Sequence, residues 1–143
     1  PLDIALSTAT AAATVATVAL PFVSGFRPQA LEAVCGLRPI VCVSVKEYGD
    51  AAQHVLDAQR KGATRILRVD RDGAITRRTS ALRDLETRAG VDRDEYPLAL
   101  SSRRSGLSIR YIDPSSNRSL GAYFGNQLRD LPDGARFFVL PVA

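Results

Sequence analysis

The spacing of apolar and polar positions changes several times along the chain, which is typical of a mixed α and β domain. The β-branched segment 39–45 begins at a proline and predicts a buried strand. Residues 50–61 predict a helix, with the aspartate at its start as the cap and the following glycine as its stop. We expect a short strand over 65–69 and an arginine-rich helix over 74–85.

The second half of the chain predicts a hairpin followed by a helix. Strands are expected over 96–101 and 108–112, with a polar turn between them. Residues 114–116 offer caps for a helix over 117–129, and a closing strand is expected over 136–140. The expected fold class is α+β, a small mixed sheet with flanking helices.

The first part of the chain has a different composition. Residues 4–23 carry no charge and approach the length of a membrane span, but Ala and Thr dominate, so stable membrane insertion is not expected. A helix that packs on or joins the domain fits this segment, as does a linker or translocation segment of a larger protein. A membrane-anchored module is a third interpretation. Because the chain starts at Pro1 without methionine, we expect a fragment or a processed product.

Composition and charge bound the class of protein. The 143 residues suffice for one domain, and 45% apolar with 24% charged residues exclude wholesale disorder. Nineteen basic residues face fifteen acidic ones, which gives a net charge of +4. This excess fits a polyanionic partner, and it fits an ordinary basic surface equally well. Cys35 and Cys42 could form a disulfide or remain two thiols, and no further pair completes a zinc site.

Three carboxylates and a guanidinium are consecutive at Asp92, Arg93, Asp94 and Glu95. In an extended chain Asp92 and Asp94 share one face, and Arg93 and Glu95 share the other. Like charges repel, so such a cluster makes sense beside a divalent cation or a phosphate-binding group. An exposed acidic loop with internal arginine pairing is the simpler alternative.

Amide side chains form a second cluster, with Asn117 near the start of the last helix and Asn126 and Gln127 near its end. Amide oxygens suit Mg²⁺ or Mn²⁺, although hydrogen bonds from the helix to the sheet explain them as well. For His54, the only histidine, packing or hydrogen bonding is the favoured interpretation. Residues 70–73 are interpreted as a turn that caps the next helix, because the later ligands of an EF-hand are missing.

Several segments in fixed order resemble the bacterial NucA/NucB deoxyribonuclease family. The resemblance covers residues 39–140, so that 1–34 is expected to be a leader or linker and 35–143 the nuclease domain. It is carried by VDRDGAITRR at 69–78, DRDEYP at 92–97, IRYIDPSSNR at 109–118, GNQL at 125–128 and PDGARFF at 132–138.

The resemblance implies a compact relative of the ββα-metal nucleases, in which a hairpin and one helix form the active site. A general base then stands by the first strand, and a metal ligand lies on the helix. Most such enzymes use a histidine base. Here the only histidine, His54, is distant in sequence from the hairpin, and a carboxylate of the DRDE block is implied instead.

The resemblance also implies roles for individual residues. Asp94 is the first choice for the base, followed by Glu95, and Asn126 is the first choice for the metal ligand. The remaining candidates are Gln127, Asn117 and Asp92 for the metal, and Arg93, Arg118, Arg110 and Arg78 for phosphate.

The implied function is a DNA endonuclease with little sequence preference that uses Mg²⁺ or Mn²⁺ and acts on double-stranded DNA. The protein would be secreted or delivered into a target cell. It would be either the C-terminal toxin domain of a larger protein, neutralised by an acidic immunity protein, or a plain secreted DNase. A nuclease-like fold that only binds nucleic acid is the alternative from another class.

Overall fold

The computed structural model describes residues 35–36, 39–102 and 105–142. Within these ranges the chain forms an α+β fold, as predicted, with two small sheets and three helices. In chain order the elements are β1 (Ile40–Ser44), α1 (Val45–Arg60), β2 (Ile66–Arg68), α2 (Ala74–Leu82), β3 (Asp92–Tyr96), β4 (Ser108–Ile112), α3 (Pro114–Leu128) and β5 (Arg136–Val142).

A three-stranded sheet in the order β1-β5-β2 forms one side of the core. Strand β5 runs parallel to β1, with Val41 opposite Val139, and antiparallel to β2, with Leu67 opposite Phe137. These four side chains are buried, whereas their chain neighbours are more exposed, so each strand turns alternate residues towards the core. Helix α1 packs against β1 and β5 and against helix α3.

Helix α1 begins earlier than predicted. Ser44 caps it by accepting a hydrogen bond from the Glu47 N–H, and the helix extends over Val45–Arg60 instead of 50–61. The predicted start is nevertheless meaningful, because Gly49 has φ of 50° and ψ of −126° and breaks the helix there. A positive φ is accessible to glycine at little cost, so this residue allows the helix to change direction before Asp50.

The position of the first hairpin strand was predicted wrongly. Strand β3 covers Asp92–Tyr96 instead of 96–101 and pairs antiparallel with β4. Pro97 has no N–H to donate to a ladder, and the strand ends immediately before it. The acidic cluster at 92–95 was predicted to precede the hairpin, but it lies within the first strand of the hairpin.

Helix α3 follows the hairpin directly. Its cap is Asp113 and not residues 114–116 as predicted, and Pro114 occupies the first turn, where its missing N–H costs nothing. Hydrogen bonds from Ser115 and Ser116 to the carboxylate hold the pKa of Asp113 below its usual value. The apolar face of the helix, Leu120, Phe124 and Leu128, is buried in the core.

A disulfide joins Cys35 to Cys42 on β1, which decides between the two states that the sequence allowed. No helix among the described residues is long and apolar enough to cross a membrane. The predicted leader, 1–34, with its uncharged run 4–23, lies outside the described residues.

Replacing both cysteines by serine is expected to lower the free energy of unfolding by about 2 kcal/mol, because the disulfide restricts the unfolded chain. The effect is at the low end of the usual range because the two cysteines are only seven positions apart. Urea unfolding of the Cys35→Ser/Cys42→Ser variant measures this loss. The wild-type chain in reductant should unfold at the same midpoint as the variant. Equal midpoints for the variant and the oxidised wild type would contradict the stabilising role.

Candidate active site

A carboxylate, an imidazole and a hydroxyl from three elements form a hydrogen-bonded row. Asp94 Oδ2 on β3 lies 2.6 Å from Nδ1 of His54 on α1, and Nε2 of the same ring lies 2.9 Å from Ser108 Oγ on β4. The His54 side chain is fully buried, whereas 16% of the Asp94 side chain is exposed. The carboxylate thus reaches solvent, whereas the ring that holds it does not.

The expectation that His54 contributes packing or hydrogen bonds agrees with these contacts, but its sequence distance from the hairpin was misleading. Helix α1 lies across the hairpin, so that residues 40 positions apart in sequence are in contact. The sequence offered one signal for this arrangement. His54 lies three positions after Ala51 and four before Ala58, on the apolar stripe of the predicted helix, where a polar side chain needs a partner.

On the other face of β3, Glu95 lies beside an arginine of α2. Its side chain is only 3% exposed, and its Oε1 lies 3.6 Å from Nη1 of Arg78. Arg78 also donates to the Arg93 carbonyl at 3.3 Å, while half of its own side chain remains exposed. Arg78 therefore brings a positive charge to the acidic strand and keeps part of its guanidinium accessible.

Asp92 contacts the start of helix α3. Its Oδ2 accepts a hydrogen bond from Asn117 Nδ2 at 3.1 Å and lies 3.7 Å from Arg118 Nε. The Arg118 side chain is 77% exposed, so its guanidinium is open to an anionic partner. The alternation predicted for this strand is confirmed, because Asp92 and Asp94 face α3 and α1 whereas Arg93 and Glu95 face α2.

Four of the residues described above line a cavity of about 310 Å³. Its polar wall consists of Asp94, Glu95, Arg78 and Asn117, which come from the hairpin strand, α2 and α3. The rest of its wall is mainly apolar, including Val55, Ile75, Leu98, Leu100, Leu120 and Phe124. Two carboxylates, a cation and an amide thus converge on one partly enclosed space, which is an arrangement suited to acid–base chemistry on an anionic substrate.

Over 90 residues the chain is 40% identical to the DNA-entry nuclease of Bacillus subtilis (strain 168). The predicted resemblance to the NucA/NucB family is confirmed. The match covers 62% of this chain and 61% of the relative, so the chain spans about three fifths of that protein. No family model matches the chain.

The structure does not bring all residues suggested by the NucA/NucB resemblance together. Asn126 lies two and a half helical turns after Asn117, which places it on the opposite side of α3 and about 13 Å further along the axis. Asn126 and Gln127 are exposed and do not line the cavity, and Asn126 Oδ1 accepts a hydrogen bond from Arg129 at 2.6 Å. Of the three amides, Asn117 alone lies at the acidic strand, because the face of α3 that meets the hairpin carries 117, 120, 121 and 124.

Two of the arginines suggested by the NucA/NucB resemblance have other partners. Arg93 Nη1 donates to the Leu85 carbonyl at 2.7 Å and to Leu82 at 3.4 Å, so its guanidinium holds the end of α2. Arg110, directly opposite Asp94 in the hairpin, donates to Asp57 Oδ2 at 2.9 Å. This hydrogen bond holds the pKa of Asp57 below its usual value. The two more exposed arginines at the acidic strand are Arg78 and Arg118.

The described residues contain no group of three or more His, Cys, Asp or Glu side chains that could hold a metal ion. Asp92 and Asn117, from different elements, are in contact, with the amide Nδ2 donating to the carboxylate Oδ2 at 3.1 Å. Each of these side chains also carries an oxygen of the kind that suits a hard divalent cation that keeps most of its waters. A pair of such oxygens does not suit zinc, which prefers nitrogen and sulfur ligands.

Proposed function

We propose that this chain hydrolyses phosphodiester bonds in DNA, with Asp94 as the general base. The observation that carries the proposal is the position of Asp94, which is held by buried His54 and faces the cavity that Arg78 and Asn117 also line. The similarity to a protein named DNA-entry nuclease supports the choice of reaction and of substrate. The order hairpin, then helix, supports an active site of the ββα-metal type.

Asp94 acts on the water molecule that attacks phosphorus. Oδ2 is held by His54, and Oδ1 accepts the proton as the oxygen of water bonds to the phosphorus. The 3′ or 5′ oxygen of the neighbouring nucleotide leaves with the bonding electrons. The partial exposure of Asp94 allows a water molecule to reach it, whereas full burial excludes His54 from that role.

Arg78 and Arg118 supply positive charge for the phosphate. Both have at least half of their side chain exposed and lie beside carboxylates of β3. A guanidinium binds two phosphate oxygens at once and stabilises the charge that grows on them in the transition state. Contacts of this kind read the DNA backbone and not the bases, which supports cleavage with little sequence preference.

A Mg²⁺ or Mn²⁺ ion would be held by Asp92 and Asn117, once the amide turns so that its oxygen and not its nitrogen faces the carboxylate. Mg²⁺ is commonly held by one or two carboxylates, with waters and substrate phosphate completing its shell. Bound there, the ion would supply Lewis-acid stabilisation of the phosphate oxygens and of the leaving oxygen. In this assignment Asn117, and not Asn126, is the first choice for the metal ligand on α3.

Cleavage of supercoiled plasmid by the purified chain tests the proposal. We expect nicked and then linear DNA with Mg²⁺ or Mn²⁺, and intact plasmid when EDTA is present. A folded chain that leaves the plasmid intact with either cation, yet retards it in a gel, would replace the proposal by the binding-only alternative. A parallel assay on RNA of similar length measures the preference for DNA.

Alanine substitution of each of two asparagines on α3 should show which of them binds the metal. Asn117→Ala is expected to lower the cleavage rate by at least about 10-fold and to raise the Mg²⁺ concentration needed for half-maximal activity. Asn126→Ala should leave both quantities within about 2-fold of the wild type, because surface changes away from a site have small effects. A large effect of Asn126→Ala with little effect of Asn117→Ala would instead identify Asn126 as the metal ligand.

The disulfide supports passage of the chain through an oxidising compartment, as expected for a protein that is exported before it acts. Within that setting the chain is proposed as the toxin part of a larger protein that an acidic immunity protein neutralises, or as a plain secreted DNase. Co-expression with an acidic protein encoded beside this chain, followed by the plasmid assay, distinguishes the toxin from the plain secreted DNase. Inhibition at a one-to-one ratio indicates the toxin.

A further inference from the structure

We infer that His54 is a positioning residue, which fixes the carboxylate of Asp94 for catalysis without touching the substrate. This inference rests on the proposed function, because it assigns His54 a role only if Asp94 is the base. The reverse assignment, with His54 as the base and Asp94 as its support, conflicts with the burial of the ring. Both ring nitrogens also have protein partners, so neither can reach a water molecule on the phosphate.

The two contacts of the ring are satisfied together by one neutral tautomer. With the proton on Nδ1, the ring donates to Asp94 Oδ2 at 2.6 Å, and Nε2 accepts the hydroxyl proton of Ser108 at 2.9 Å. The carboxylate only accepts and therefore requires the proton on Nδ1, and the Ser108 hydroxyl holds the ring by donating to Nε2. A second partner that fixes the ring in this way is a common device for orienting functional side chains.

The hydrogen-bonded side chains of Asp94, His54 and Ser108 are held in place because each lies on a regular element of the fold. His54 lies in the part of α1 that follows the break at Gly49, whereas Asp94 and Ser108 lie on the two paired strands of the hairpin. The contact therefore joins helix α1 to both strands at the point where the carboxylate enters the cavity. A base must be held within a fraction of an ångström, and a displacement of about 1 Å can cost about 100-fold in rate.

Two substitutions at His54 separate the contact to Asp94 from the contact to Ser108. The amide nitrogen of asparagine lies at the same number of bonds from Cβ as Nδ1, so His54→Asn can still donate to Asp94. The amide nitrogen of glutamine corresponds to Nε2, so His54→Gln keeps the contact to Ser108 and loses the one to Asp94. Both variants bury one amide in place of the ring, which makes them matched in polarity.

Steady-state cleavage of a short duplex with Mg²⁺ is the test. We expect His54→Gln to lower kcat by about 30- to 100-fold with KM within about 2-fold, because positioning affects the reacting groups and not substrate binding. His54→Asn should recover kcat to within about 5-fold of the wild type. Ser108→Ala, which retains the histidine, should lower kcat by about 5-fold and provides a second reading where a His54 variant does not fold.

A control on the same helix accounts for stability. Gln59 is buried and donates to Tyr96 Oη and to the Val139 carbonyl, which lie outside the proposed catalytic groups. Gln59→Leu should lower the melting temperature while kcat per folded molecule stays unchanged. If kcat falls equally in His54→Gln and His54→Asn, or in neither, His54 is not a positioning residue. If the wild type does not cleave, the proposed function fails and the role of His54 fails with it.

Discussion

Asp94→Asn is expected to lower kcat for DNA cleavage by about 1,000-fold or more, because the amide cannot take a proton from the attacking water. The substitution keeps the shape of the side chain and an oxygen that accepts the hydrogen bond from His54. Folding and DNA binding should therefore be preserved. Initial rates of cleavage of a short duplex at saturating Mg²⁺ measure the loss, and gel retardation in EDTA measures binding.

Two control substitutions, one at a surface aspartate and one at the glutamate next to Asp94, test whether the loss is specific to Asp94. Asp133 pairs with Arg71 on the surface, away from the cavity, and Asp133→Asn should cleave at the wild-type rate. Glu95→Gln tests the second candidate for the base. If Asp94→Asn keeps most of its activity and Glu95→Gln loses it, the base is Glu95, and the contact from His54 to Asp94 is structural only.

The pattern of apolar positions predicted most elements of this fold because local periodicity reflects burial. β1 and β5 were found near their expected positions, and α2 was found with a shorter end. The strand of the acidic cluster was missed because its residues are charged and because strand propensity favours the apolar segment after Pro97. Burial of Glu95 and Tyr96 in the structure shows that partners on two helices made this charged segment a strand.

The residues of the candidate site were predictable only where they are close in sequence. Alternation along β3 assigned the four residues of the cluster to the correct faces, because that rule depends on backbone geometry alone. The contact of His54 with Asp94 depends on how α1 crosses the hairpin, and no local pattern contains this information. That Asn117 and not Asn126 lies at the acidic strand likewise depends on the rotation of α3 about its axis, which follows from the packing of the helix on the core.

Phe124→Ala is expected to lower the free energy of unfolding by about 3–5 kcal/mol, a large share of the roughly 5–15 kcal/mol that stabilises most domains. The ring is 1% exposed and lies between the core and the cavity beside the acidic strand. Its loss would leave a void between α3 and α1, since helices cannot close fully around a missing aromatic side chain. Urea unfolding followed by far-ultraviolet circular dichroism measures the change.

Ile75 offers the matched comparison, because it lines the same cavity but is 82% exposed. Ile75→Ala should change the free energy of unfolding by no more than about 0.5 kcal/mol, since little apolar surface leaves water at that position. Equal losses in the two variants would mean that Phe124 is not a core residue. A large loss in Phe124→Ala alone, together with reduced cleavage at temperatures where the variant remains folded, would show that the packing of α3 also holds Asn117 against the hairpin.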